Sequence, residues 1–213
     1  MPALALTSTM YIHCGRYTVA LAQLDELVAL AEDKGANLWR VFGAMNKDFI
    51  VALKGKAINA VEVISSGLAA WRATGATMLL PMRLATLANA YAGAGEFDHA
   101  WRSIGEALGT VEATKERWYE AEVNRIAGEI VLQTPNRVAA GAATYFERAL
   151  TVARHQQAKS WELRAAMSLA RLWRDQGKTQ QSRELLAPVY GWFSEGFDTR
   201  DLKDAKALLD ALV

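Results

Sequence analysis

At 213 residues the chain is long for one compact domain and short for two, and its 52% hydrophobic residues, with seven Trp, six Tyr and six Phe, supply ample material for a core. Twenty-four Lys and Arg against 23 Asp and Glu leave a net charge of +1, so no field of one sign exists to gather nucleic acid or an anionic membrane. The single cysteine, Cys14, excludes an internal disulfide and points to a reducing, cytoplasmic setting.

With only four prolines and long stretches of Ala, Leu, Glu, Arg and Gln, the sequence predicts helix throughout. The first hairpin, about 3–35, opens with "MPALALTSTMYIHCG", which lacks a basic leader and has its apolar run broken by Thr7, Ser8 and Thr9. Nothing in the chain reaches the roughly 18 apolar residues of a membrane span. A second hairpin, about 37–75, contains "MNKDF", a third spans about 78–113, a fourth 116–157 and a fifth 160–194. The third shows helical periodicity plainly, with Trp101, Ile104, Leu108 and Val111 on one face. A last helix, about 198–212, begins with Asp198 and Thr199 as start residues and presents Leu202, Leu208, Leu209 and Leu212 as a cap.

The turns are spaced regularly: Gly15, Gly55 and Gly95 at 40-residue steps, Pro135 after 40 more and Gly177 after 42. A fixed period is the mark of stacked repeats. Four residues before each turn stand Tyr11, Val51, Tyr91, Val131 and Trp173; seven before stand Ser8, Ala88, Gly128 and Ala170, all small, with Asp48 breaking the rule. After the turns come Ala20, Ala60, Ala100 and Ser182, then Leu24, Ile64, Ile104 and Leu186; a two-residue insertion after Pro135 puts Ala142 and Phe146 in the same places. The tryptophans Trp39, Trp71, Trp101, Trp118, Trp161 and Trp173 fall on corresponding faces and read as core.

This spacing resembles the tetratricopeptide pattern, most plainly in Leu84, Leu87, Ala88, Tyr91, Ala100 and Ile104. The resemblance implies an all-α right-handed solenoid of five hairpins and a capping helix in one domain, 1–213. A HEAT-like array shares the longer period and stands as the alternative. The back half, "RWYEAEVNRIAGEIVL", "AKSWELRAAMSLARLWRDQGK" and "LLAPVYGWFSEGFDTRDLKDAKALLDAL", also resembles the C-terminal repeats of large bacterial regulators that carry a class III adenylate or guanylate cyclase domain, or a transcription-activator domain, and a predicted ATPase. That likeness implies signal transduction and transfers no catalytic residue.

Features that imitate chemistry have simpler readings. Gly93 and Gly95 lack the lysine and following hydroxyl of a phosphate loop, and "GKT" at Gly177 to Thr179 lacks its first glycine, since that position is Leu172. His13, His99 and His155 lie far apart, so no metal or cofactor is expected. Glu112, Glu116, Glu120, Glu122 and Glu129, interleaved with Lys115, Arg117 and Arg125, read as a solvated face, and no catalytic residue is assigned.

In the resembled family the first helix of each hairpin lines the concave groove. By position the partner-binding candidates are Asn46, Phe49, Met82, Thr86, Asn89, Glu122, Arg125, Glu129, Arg164, Arg171 and Arg174. The three arginines share a helix face and would fork a partner's carboxylate. Lys47 and Asp48 imply either loose packing or a helix turned to show "MNKDF" to a partner. The apolar "PALAL" implies that the first helix packs on something further, an upstream repeat or domain or a second copy. The expected function is protein–protein interaction or scaffolding, non-enzymatic, with effector sensing on behalf of an upstream domain as the alternative.

Overall fold

The computed structural model describes residues 1–53, 60–135 and 139–212, and among them eleven α-helices and no strand. The turn expected at Gly55 lies outside the described residues. Two compact units are distinguished, Met1–Leu79 and Leu80–Val213.

Unit 1 holds α1 (Pro2–His13), α2 (Tyr17–Asp33), α3 (Asn37–Leu53) and α4 (Ala60–Ala73). Each helix packs on the next, and α1 also on α3. The small residues Ser8 and Ala20 and the bulky Leu24 are fully buried, as the repeat pattern requires. The centre of the unit is aromatic: Phe42 meets Trp71 edge to face with ring centroids 5.9 Å apart. Trp71 has no exposed surface, and its indole N–H donates to the Met78 carbonyl at 3.0 Å.

Unit 2 holds α5 (Leu80–Gly93), α6 (Phe97–Thr114), α7 (Glu120–Gln133), α8 (Ala139–His155), α9 (Lys159–Asp175), α10 (Thr179–Tyr190) and α11 (Arg200–Asp210). Helices pair as hairpins α5/α6, α7/α8 and α9/α10, while α5, α7, α9 and α11 form a row in which each packs on its neighbour. Ala88, Ala100, Ala142, Phe146, Ala170, Ser182 and Leu186 are fully buried, so the two-residue insertion after Pro135 holds the fourth repeat in register. Gly128 shows why a small residue is needed there: a Cβ on it would stand 2.4 Å from Cε1 of Phe146.

The turn geometry accounts for Gly95. Gly95 has φ of +80°, and the next amide, Glu96, donates back to the Tyr91 carbonyl at 2.9 Å. Gly177 repeats this with Lys178 and Trp173. The left-handed residue followed by a six-residue-spanning hydrogen bond is a helix C-cap, and glycine adopts it without a Cβ penalty.

Three sequence expectations need correction. The 40-residue count puts Lys47 and Asp48 at packing positions of α3, which they do not occupy. Lys47 pairs with Asp25 on α2 and Asp48 is exposed, while Phe42, Met45, Asn46 and Ile50 face inward. The inward set matches Leu84, Leu87, Ala88 and Ala92 of α5 at an offset of 42, so counting 40 residues misplaces the register by two. Of the six tryptophans read as core, Trp71 is buried and the other five are half-buried. Thr199 does occupy the N-cap of α11, but its hydroxyl donates to the Gly196 carbonyl at 2.7 Å instead of accepting from the helix.

Candidate functional site

The first helices of unit 2 carry a chain of ionic contacts. Arg125 on α7 grips Glu122 with two bonds of 2.8 Å and reaches Glu129 at 3.0 Å. On α9, the Ser168 hydroxyl donates to Glu129 at 2.7 Å, which ties the two helices together. Arg164, one helix along from Glu122, lies 3.6 Å from it and donates to Asp201 of α11 at 2.6 Å. Glu122 and Arg164 are 42 residues apart and occupy the same repeat position, so charge alternates negative, positive, negative along α7, α9 and α11.

A second group lies at the N-terminal ends of these helices. Glu120 is held by Arg117 at 2.9 Å, and Glu162, again 42 residues on, by Arg154 at 2.9 Å and Lys159 at 2.7 Å. Glu120, Glu122 and Glu162 are only 6%, 4% and 5% exposed. The solvated-face reading therefore holds for exposed Glu112, paired with Arg117 and Lys115, but not for Glu120 and Glu122.

The electrostatics follow from this geometry. Burial opposes the charge on Arg125, but Glu122 and Glu129 outweigh it and hold the guanidinium above its ordinary pKa. Arg164 is raised in the same way, against its own burial, by Glu122 and Asp201. Burial pushes the Glu162 carboxyl up, yet the bonds from Lys159 and Arg154 keep it below the usual carboxylate range. Tyr119, fully enclosed, is pushed well above the ordinary phenol value by burial and then by Glu122. For Arg83 on α5 burial is the larger influence and lowers the guanidinium to about 9, against the opposing pull of Glu116.

The expected groove residues divide into three groups. Asn46 and Met82 are buried, at 1% and 2% exposure, and Asn46 donates to the Phe42 carbonyl of its own helix at 2.8 Å. Glu122, Arg125, Glu129 and Arg164 are brought together in the ionic chain. Phe49, Thr86 and Arg171 are half-buried, and Asn89 and Arg174 are exposed. The three arginines of α9 have different partners: Arg164 is held by Glu122 and Asp201, and Arg174 pairs with Asp175 at 2.9 Å. Arg171 forms no ion pair among the described residues and only leans on Met167, its Nη2 4.0 Å from the sulfur.

Trp118, Tyr119 and Trp161 form a tight aromatic cluster with centroids 5.0 to 6.3 Å apart, and the Arg164 guanidinium lies 5.0 Å from the Trp161 ring. Rings this close leave no room for a ligand between them. Among the described residues no three His, Cys, Asp or Glu side chains are grouped as a metal site needs, and no helix is long and apolar enough to cross a membrane.

Solved structures share this repeat architecture. Two crystal structures of nearly identical TPR-like repeats from a Podosopora anserina protein described as a kinesin light chain, one of them a point variant, superpose with TM-scores of 0.54 and 0.52. The chain has a TPR-like helical repeat fold. Each match covers 89% of this chain and 92 or 93% of the other at 18% identity, a likeness of fold. No protein-family model and no curated protein matches the TPR-like chain.

Proposed function

We propose that this TPR-like array is a non-catalytic protein–protein interaction module that receives a polypeptide segment along the row α5, α7 and α9, with Arg171 as its charged contact. What supports the reading is the state of the other charges on that row. Arg125 and Arg164 are already engaged by carboxylates of this chain, so a partner would have to break existing bonds to recruit them. Arg171 is half-buried and has no such carboxylate among the described residues, and exposed Asn89 on α5 adds an amide able to pair with backbone. The resemblance of the back half to the repeats of bacterial regulators supports a scaffolding role in signal transduction.

Capture from the source lysate, read by mass spectrometry, tests this. Arg171→Glu is expected to abolish retention of a specific polypeptide while leaving the fold intact. Arg174→Glu, at a side chain already paired with Asp175, is expected to retain most of it. Capture unaffected by Arg171→Glu would overturn the proposed contact.

A further inference from the structure

We infer that the hollow between the end of α10 and the outer face of α11 is a binding site for a small molecule carrying one carboxylate on an apolar body. The hollow measures about 440 Å3, within the range of small-ligand sites. Tyr190 and Phe197 form its aromatic wall, with ring centroids 5.9 Å apart and planes tilted by 59°. Buried Leu202 completes the apolar lining. On α11, Lys203, Lys206, Ala207 and Asp210 share one stripe, and the short side chain of Ala207 leaves the space open.

The aromatic wall is held in place by the backbone. Phe197 is 47% exposed, yet it stands on a fixed turn: Gly196 has φ of +77°, and its carbonyl accepts from the Thr199 amide at 2.9 Å and the Thr199 hydroxyl at 2.7 Å. Thr199 is the N-cap of α11, where a hydroxyl ordinarily accepts from the first helical amides. Here the hydroxyl serves the turn that carries Phe197, although α11 loses a cap. An exposed aromatic fixed in this way is preorganised for contact.

The charges select the class of ligand. The Lys206 ammonium is engaged by Asp210, 3.0 Å from each carboxylate oxygen, whereas Lys203 forms no ion pair among the described residues. A cation entering the hollow therefore meets an Asp210 already neutralised. A dianion such as a phosphate monoester finds a single lysine to pair with, and a neutral apolar molecule covers the Lys203 ammonium without replacing its water. An apolar monocarboxylate meets both demands, its body against Tyr190, Phe197 and Leu202 and its charge at Lys203. The site shares no residue with the proposed polypeptide contact at Arg171 and Asn89, so the two stand or fall separately.

Titration of the isotope-labelled full chain with hydrocinnamate and with octanoate, followed by amide NMR shifts, tests the inference. The expected result is saturable shifts at Phe197, Lys203, Lys206 and Ala207, with a Kd of about 1 mM or tighter for at least one acid. The uncharged counterpart hydrocinnamide, and the Lys203→Gln chain with either acid, are each expected to show binding at least ~5-fold weaker. Ala207→Leu, which fills the hollow, is expected to abolish binding. Helical circular dichroism should stay unchanged in both variants, because Lys203 and Ala207 are exposed. No saturable shift with either acid, equal binding of acid and amide, or unaltered binding in either variant would overturn the inference. So would tighter binding of a peptide that ends in phenylalanine with a free carboxylate, which would assign the hollow to polypeptide C-termini.

Discussion

The two units solve one problem with different chemistry. Both stack helices in the same repeat pattern, but the buried polar side chains of unit 1, Ser8, Thr9 and Asn46, bond to carbonyls of their own helix. Such bonds satisfy the group without saying where the neighbouring helix belongs. Unit 1 is therefore positioned by packing, above all by Phe42 against Trp71. In unit 2, Glu122, Arg125, Glu129, Arg164, Ser168 and Asp201 bond between helices, so a sliding register would strand buried charges. Shape sets the register in one unit, and charge alternation adds to it in the other.

The most severe way to break this contrast is Trp71→Ala. It removes the largest buried side chain of unit 1 and leaves a cavity that the paired rings cannot close, so a loss of about 3–5 kcal/mol is expected. Hydrogen exchange is expected to show the loss of protection in α3 and α4, with α7 and α9 unchanged. Equal loss in both units would show that they unfold as one.

The counterpart in unit 2 is Arg125→Met, which keeps most of the volume and leaves Glu122 short of its principal partner in a buried place. The expected cost is roughly 2–4 kcal/mol. Adding Glu122→Gln should recover much of it, since the second change removes the stranded charge. If urea unfolding finds the two losses additive, the ionic chain is incidental and the contrast between the units fails.

How far the sequence foretold this difference can be seen in particular residues. The turns at Gly15, Gly95 and Gly177 were legible because a left-handed cap selects glycine, and Ser8, Ala88, Gly128 and Ala170 because helix contact selects small side chains. The register of α3 was not, since the Gly55 count assumed a constant period while the inward residues repeat at 42. The ionic chain was hidden for a related reason. Glutamates among lysines and arginines look like a solvated helix face, and only stacking reveals that Glu120 falls on Glu162 and Glu122 on Arg164. Counting at 42 would have placed Glu122 and Arg164 at one repeat position with opposite charges. No pattern within a single helix marks Arg171 as different from Arg164, because their difference lies in Asp201 of another helix.

A smaller effect sharpens the role of charge in unit 2. Glu162 titrates below its ordinary value of 4.5 in the folded chain, so the unfolded chain binds its proton first as pH falls. Its contribution is thus fully present above 4.5 and disappears as pH drops through the lower folded value. Glu162→Gln is expected to lower Tm at neutral pH by an amount worth about 1 kcal/mol, and the gap to the native chain should close below pH 4.5. A pH-independent gap would assign Glu162 a packing role.

The units differ last in their turns from second to first helices. Unit 1 uses Gly35 at φ of +62° and, in the longer turn from α4 to α5, Gly75 at +78° together with Leu79 at +61°, whereas unit 2 places Lys115 at +60° and Gln157 at +54° in the corresponding turns. The backbone at Gln157 makes the same closing bond, Ala158 to the Ala153 carbonyl at 2.9 Å, as Ala36 makes to Ala31 after Gly35. Gln157 is exposed, so its side chain gains no burial in exchange for the strained conformation. Gln157→Gly is expected to stabilise unit 2 by roughly 0.5–1 kcal/mol, the relief of the left-handed Cβ clash less the extra freedom glycine brings to the unfolded chain. The reverse change, Gly35→Gln, should cost unit 1 a similar amount, because a Cβ there meets no neighbour within 4 Å and only the backbone angle opposes it. Thermal unfolding that finds both substitutions neutral would mean that the closing hydrogen bond, common to both turns, outweighs the identity of the left-handed residue.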